Sequence, residues 1–220
     1  VKILGIDSAT PIASAAVLDD TRVLAEAQSD AAGHRADLLV LIDAVCKQAA
    51  VAPTELDAIA IGAGPGSFTG LRIGMATAKG IAFAANKPLW AVSSLAALAY
   101  PTAQSPAGRL VIPVLDARRG ELYAGAYRFV DGRLDSEADE RLLPPAELAA
   151  FAQRGDEHGL TVGDYEGLDI AARPTGTAVA QLALAGTRVD VLVGGVPTYI
   201  RASEAEIRYP DGVPGALRKR

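Results

Sequence analysis

The sequence predicts an α/β protein built from two subdomains. Three features carry that prediction. The chain opens with three short apolar runs separated by polar turns, the pattern of an antiparallel meander at the start of a mixed sheet. Helical and strand-like stretches then alternate to about residue 100. A stretch rich in Pro, Ser and Gly, Pro101 to Gly108, precedes a second αβ region. The expected division is therefore 1–100 for the first lobe, 101–108 for a linker and 109–220 for the second lobe.

Taken in order, Val1 to Ile6 reads as a largely buried strand that ends in the turn residues Asp7-Ser8-Ala9-Thr10-Pro11. Ile12 to Leu18 and Arg22 to Ala27 complete the meander. A helix is expected from about Arg35 to Ala50, because Leu38, Leu41, Ile42, Val45 and Ala49 fall on one face. Leu39 and Cys46 widen that face. A strand, Leu56 to Ile61, then feeds the run Ile61-Gly62-Ala63-Gly64-Pro65-Gly66-Ser67-Phe68-Thr69-Gly70-Leu71-Arg72-Ile73-Gly74, the organising stretch of the chain. The helix Gly70 to Ala85 leaves it, with Gly70, Gly74, Ala78 and Ala82 in one row of small residues. Such a row permits close approach of a neighbour, although glycine costs about 1 kcal/mol relative to alanine in a helix. Leu89 to Val92 reads as a strand, and Ser93-Ser94 caps a helix from Leu95 to Tyr100.

Beyond the linker, Leu110 to Leu115 is a buried strand, Asp116 to Gly120 a turn, and Glu121 to Val130 its hairpin partner. Asp131 to Arg141 is the most charged segment and reads as solvated. Pro144-Pro145 opens a helix to about Arg154. Leu160 to Gly163 is a strand and Thr177 to Ala185 a helix. The tail ends basic, at Arg218-Lys219-Arg220. No internal sequence repeat is evident.

Composition narrows the function. The chain has 220 residues, 50% of them hydrophobic, enough to bury one core or two smaller ones. A net charge of −5 argues against tight, independent binding to nucleic acid, which is driven by phosphate electrostatics. A single cysteine, Cys46, forbids an intramolecular disulfide and cysteine-pair zinc spacings, so a reducing cytoplasm is expected. No apolar run approaches the roughly 20 residues of a membrane helix, and the chain opens on a strand without signal-peptide architecture.

The motifs leave alternatives open. After Gly70 come Leu71-Arg72, so the phosphate-reaching lysine of a P-loop is absent, and Gly62-Ala63-Gly64-Pro65-Gly66 has the wrong spacing for a dinucleotide fingerprint. A glycine turn before a helix can still hold an anion on its backbone N–H groups, and it can equally be a packing corner. Asp7, with Ser8 and Thr10, can orient a metal–phosphate group or simply form a turn. His34 and His158 lack metal-ligand spacing. Asp116, Arg118, Arg119 and Glu121 form a charged turn that either binds an anion or pairs internally.

Several stretches together resemble the TsaB (YeaZ) family. They are Ile3 to Thr10, Gly64 to Gly74, Ala78-Lys79-Gly80, Val92 to Leu95, Asp116 to Tyr123 and Pro197 to Arg201. The match is dense to about Tyr127, thin from 130 to 190, and returns near 197. The resemblance implies a two-lobed actin-like ATPase (ASKHA) fold with ribonuclease-H-like mixed sheets. It implies a part in making threonylcarbamoyladenosine (t6A) in tRNA, where TsaC makes threonylcarbamoyl-adenylate and TsaD, a paralogue, transfers the group. The implied partners are TsaD, TsaE and a second copy of the chain, with tRNA reached only through the complex.

TsaD carries a His-Leu-Glu-Gly-His metal motif. The corresponding positions here are Ser94 to Leu98, with Ser94 and Leu98 in place of the two histidines and Ala96 in place of the acid. Neither side chain replaces an imidazole at a metal. The resemblance therefore implies a non-catalytic subunit with no metal and no catalytic residue. It assigns no cofactor, beyond ATP or ADP at a complex interface. The residues assigned to subunit contact are Leu38, Leu41, Ile42 and Val45 on the first helix, and Gly64, Pro65, Gly66, Ser67, Phe68, Thr69, Gly70, Leu71, Arg72, Gly74 and Ala78 on the loop and second helix. The alternative function is an autonomous actin-fold ATPase or kinase using Asp7 and the glycine loop.

Overall fold

The structure, a computed structural model, describes residues 1–29, 38–104 and 108–201. His34, the first turn of the expected first helix and the basic tail lie outside these residues. The meander forms as expected: β1 (Lys2–Asp7), β2 (Ser14–Asp19) and β3 (Arg22–Gln28) are antiparallel neighbours. Helix α1 (Leu38–Ala49) leads to β4 (Ala58–Gly62), which pairs parallel with β1. Helix α2 (Phe68–Ala85) leads to β5 (Leu89–Val92), parallel to β4, and α3 (Ser94–Ala103) follows.

The second sheet opens with its own meander, β6 (Leu110–Arg118), β7 (Glu121–Val130) and β8 (Arg133–Leu143). After α4 (Leu148–Ala152) and the small hairpin β9 (Gln153–Arg154) and β10 (Glu157–His158), β11 (Leu160–Gly163) pairs parallel with β6. Strand β12 (Ile170–Ala171) pairs parallel with β11, and α5 (Gly176–Leu184) and β13 (Val189–Asp190) complete the described elements.

The strand orders are β13-β5-β4-β1-β2-β3 and β12-β11-β6-β7-β8. In each, a three-strand meander is extended from its first strand by two parallel strands. The same topology thus occurs twice, although the sequence shows no repeat. This duplicated mixed-sheet plan is the actin-like, ribonuclease-H-like fold.

Two helices lie between the sheets. Helix α3 packs on β6 and β7, and α5 packs on β1, β2 and β4. They share one core that includes Ile3, Leu18, Leu95, Leu98, Tyr123 and Leu182. Helices α1 and α2 cover the outer face of the first sheet around Leu4, Ile6, Ile42, Val45 and Met75. A smaller core beneath α4 covers the outer face of the second sheet.

Capping explains the helix starts. Ser67 accepts from the Gly70 N–H at the start of α2, and Ser93 accepts from the Ala96 N–H at the start of α3. Asn86 ends α2 in the left-handed region.

Four expectations are corrected. Pro101 to Ala103 belong to α3, so the linker begins later. Asp131 to Arg141 is not simply solvated, because most of it forms β8, an edge strand whose charges pair locally, as in Arg128–Glu137 and Arg133–Asp135. The helix after Pro144-Pro145 is shorter than expected, since the chain turns at Gln153 into a hairpin. The second lobe does not hold all of residues 109–201, because α5 packs on the first sheet and β13 pairs with β5. Among the described residues, no helix is long and apolar enough to cross a membrane.

Candidate functional site

The glycine-rich stretch closes over the end of β1. Asp7 is buried, and its two carboxylate oxygens are both engaged: Oδ1 accepts from the Ala9 N–H at 2.8 Å and Oδ2 from the Ser94 hydroxyl at 2.7 Å. The loop packs onto this turn at van der Waals limits. A Cβ on Gly62 would lie 1.9 Å from Asp7 Oδ2, and one on Gly74 would lie 2.1 Å from Ser8 Oγ. Only glycine allows α2 and its leading loop to approach so closely. Ser8 in turn donates to the Gly70 carbonyl. The geometry at Gly62, Gly70 and Gly74 is that of a packing corner.

Burial pushes the Asp7 carboxyl up to about 6, against the opposing pull of the Ala9 and Ser94 hydrogen bonds. The nucleotide candidates are accordingly corrected in part. Asp7 and Ser8 are buried beneath their own loop, with their hydrogen-bonding groups turned to the chain. Thr10 donates to the Ile12 carbonyl and lines a cleft described below. The two positions compared with the paralogue's metal histidines are also interior. Ser94 sits on Asp7, and Leu98 packs in the core between the sheets. Among the described residues, no group of three or more His, Cys, Asp or Glu is arranged to hold a metal.

Arg72 has a defined partner. Its guanidinium lies 3.9 Å from the Phe68 ring centroid, and its Nε donates to the Tyr199 hydroxyl at 3.1 Å. Phe68 and Tyr199 are themselves 5.0 Å apart. This cluster ties α2 to the segment 191–201, which is further held by Thr198 N–H to the Ala63 carbonyl and Lys79 to the Gly195 carbonyl. At the end of that segment Arg201 reaches the second sheet, donating to the Ala117 carbonyl and pairing with Glu121 at 3.2 Å. The segment thus straps the two sheets together, and its Thr198, Tyr199 and Arg201 line a cleft of about 570 Å³.

The residues assigned to subunit contact divide into three sets. Leu38, Ile42, Val45, Gly64, Pro65, Gly70, Leu71, Gly74 and Ala78 are buried within the chain, and Leu41, Gly66, Ser67 and Phe68 are half-buried. The broad apolar face of α1 and the small-residue row of α2 cover the first sheet, so the buried set is corrected from a subunit surface to a core. Thr69 and Arg72 are exposed.

What lies outward on these helices is a different apolar set: Leu39 at 59%, Val40 at 65% and Phe83 at 82% exposure. Gly80, on the same side of α2 as Ala76 and Phe83, has open space where a side chain would stand. The sequence names only Leu39 of this set, as a residue that widens the apolar face of the first helix; Val40 and Phe83 escape notice because the strongest helical periodicity marks the buried face. The out-of-phase residues carried the signal. Glu140 escapes notice as well; it accepts from both the Ser93 and Tyr127 hydroxyls, and its carboxyl is raised by burial.

Comparison with known proteins identifies the family. Residues 27–209 match the family model of TsaD, tRNA N6-adenosine threonylcarbamoyltransferase. The chain is 30% identical to the tRNA threonylcarbamoyladenosine biosynthesis protein TsaB of Escherichia coli, over 95% of this chain and 98% of that one. It is 30% identical to TsaB of Bacillus subtilis, over 94% and 97% respectively. Among solved structures, YeaZ from Pseudomonas aeruginosa superposes with a TM-score of 0.76 at 30% identity, covering 90% of this chain and 99% of that one.

Proposed function

Because the chain belongs to the TsaB (YeaZ) family, we propose that it serves tRNA threonylcarbamoyladenosine biosynthesis as a non-catalytic scaffold, binding and supporting TsaD together with TsaE. The part in t6A biosynthesis comes with the family. The scaffold role rests on one observation above all: the outward faces of α1 and α2 expose Leu39, Val40 and Phe83 beside a core that is already filled.

An exposed phenylalanine next to small residues is suited to anchoring a partner helix. Burying such a ring contributes roughly 2–3 kcal/mol, and aromatic anchors dominate interface energetics. Ala76 and Gly80 leave room for close approach beside it. The closed corner supports the same reading, since Asp7 and Ser94 satisfy each other and leave that pair no free acid or base. The same outward face serves a homodimer in the absence of TsaD, so the two assemblies exclude one another.

The test is complex formation with TsaD, followed by size-exclusion chromatography with light scattering. Phe83→Glu and Leu39→Glu abolish the complex on this account and leave thermal unfolding unchanged. A complex that survives both substitutions sinks the proposed surface.

A further inference from the structure

The segment that straps the two sheets carries a surface the helices do not account for. From Val191 to Ile200 it holds no charged residue, in a chain where 21% of residues are charged. Yet Val193 is 92% exposed and Val196 71%. A lone exposed valine is ordinary, but a pair of them on an uncharged surface segment forms an apolar patch. Depletion of charge around exposed apolar side chains marks the centre of a protein interface. The run itself has no cation to offer a nucleic-acid backbone.

Such side chains make a docking surface when they are held still, and here the backbone holds them. Gly194 has a φ of 75°, and a Cβ on Gly195 would lie 2.2 Å from the Val191 Cβ. The turn between the two valines therefore folds tightly back on the buried Val191, as only glycine permits. The Gly195 carbonyl accepts from Lys79 on α2, the Val191 N–H donates to the Leu89 carbonyl on β5, and the Thr198 N–H donates to the Ala63 carbonyl. Pinned on both sides, the valines have little freedom left to lose on docking.

The place of this turn says which partner it meets. Phe68, Arg72, Lys79 and Phe83 are spaced at i, i+4, i+11 and i+15 along α2 and so share one face. The strap holds the first three, through the Tyr199 ring and hydroxyl and the Gly195 carbonyl. Phe83, one turn beyond Lys79, is the member of that stripe left open. Val193 and Val196 bracket Gly195 and so stand beside the same part of α2.

We propose that Val193 and Val196 extend the TsaD-binding surface beyond the helices, so that the partner packs on the strap as well as on Phe83. This rests on the scaffold reading. The chemistry asked of the partner is an uncharged, apolar patch next to the one that meets Phe83.

The test is calorimetric titration of TsaD into the full chain, for the parent, Val193→Glu, Val196→Glu and Phe83→Glu. Each valine variant is expected to weaken the complex about tenfold or more while unfolding at the parent's temperature, since neither side chain belongs to the core. Unchanged affinity in both valine variants, with the complex lost in Phe83→Glu, overturns the strap surface and leaves the scaffold surface standing. A complex that survives all three substitutions overturns both. A lowered unfolding temperature in the valine variants overturns the free patch. Loss of self-association in those variants, with affinity for TsaD unchanged, gives the patch to a second copy of the chain and overturns the proposal.

Discussion

Removing the charge of Asp7 gives a direct reading of the closed corner. The carboxyl is fully buried, and burial raises it from its ordinary 3.8 to about 6. Between those values the folded protein holds a proton that the unfolded chain releases. Stability therefore falls as pH rises from about 4 to about 6, and stays lowered by a constant amount above that. Two pK units correspond to about 3 kcal/mol. Asp7→Asn removes this pH dependence. Its amide oxygen still accepts from the Ala9 N–H, and its NH2 donates to Ser94 Oγ once that hydroxyl rotates, at a cost of about 1 kcal/mol. At pH 7 the variant is expected to be up to about 2 kcal/mol more stable than the parent. Asp7→Ala instead leaves the Ala9 and Ser94 donors without their acceptor and loses about 1–3 kcal/mol for each group left unsatisfied. Urea unfolding of the three proteins from pH 4 to pH 8 measures this, and the difference between parent and Asn variant cancels the other carboxylates. A difference that stays flat across that range refutes the reasoning.

The helix faces and the glycine corner make further predictions. Val45→Ala, in the filled core, is expected to cost about 1–3 kcal/mol in urea unfolding, whereas Val40→Ala, on the exposed face, stays within about 0.5 kcal/mol. Equal costs for the two contradict the assignment of buried and outward faces. Gly74→Ala places a methyl group 2.1 Å from Ser8 Oγ and is expected to destabilise by about 1–3 kcal/mol, despite alanine's better helix propensity; a stabilised variant in thermal unfolding would mean the corner is loose.

Much of the fold was legible because local signals agreed with the tertiary structure. The opening meander, β5 at Leu89–Val92, β7 at Glu121–Val130 and β11 at Leu160–Gly163 follow from apolar runs bounded by turn residues. Strand β8 was hidden because an edge strand tolerates charge on both faces, so its alternation is weak. The return of α5 and β13 to the first sheet was hidden because no local pattern encodes which sheet a helix will cover. At the site, the glycines announced a tight corner, but nothing in the sequence signals where Asp7 points. That is decided by Ser94, 87 positions away in sequence. Arg72 likewise gave no sign of Tyr199, its partner across 127 positions. The contact helices were recognised, yet the periodicity that identified them selected their buried faces.

The most direct test of the scaffold role is reconstitution of tRNA threonylcarbamoylation from purified TsaC, TsaD and TsaE, with and without this chain. The account predicts that modification depends on the chain, is restored by the parent protein and by Asp7→Asn, and is not restored by Phe83→Glu. Modification at full rate by TsaC, TsaD and TsaE alone would contradict it.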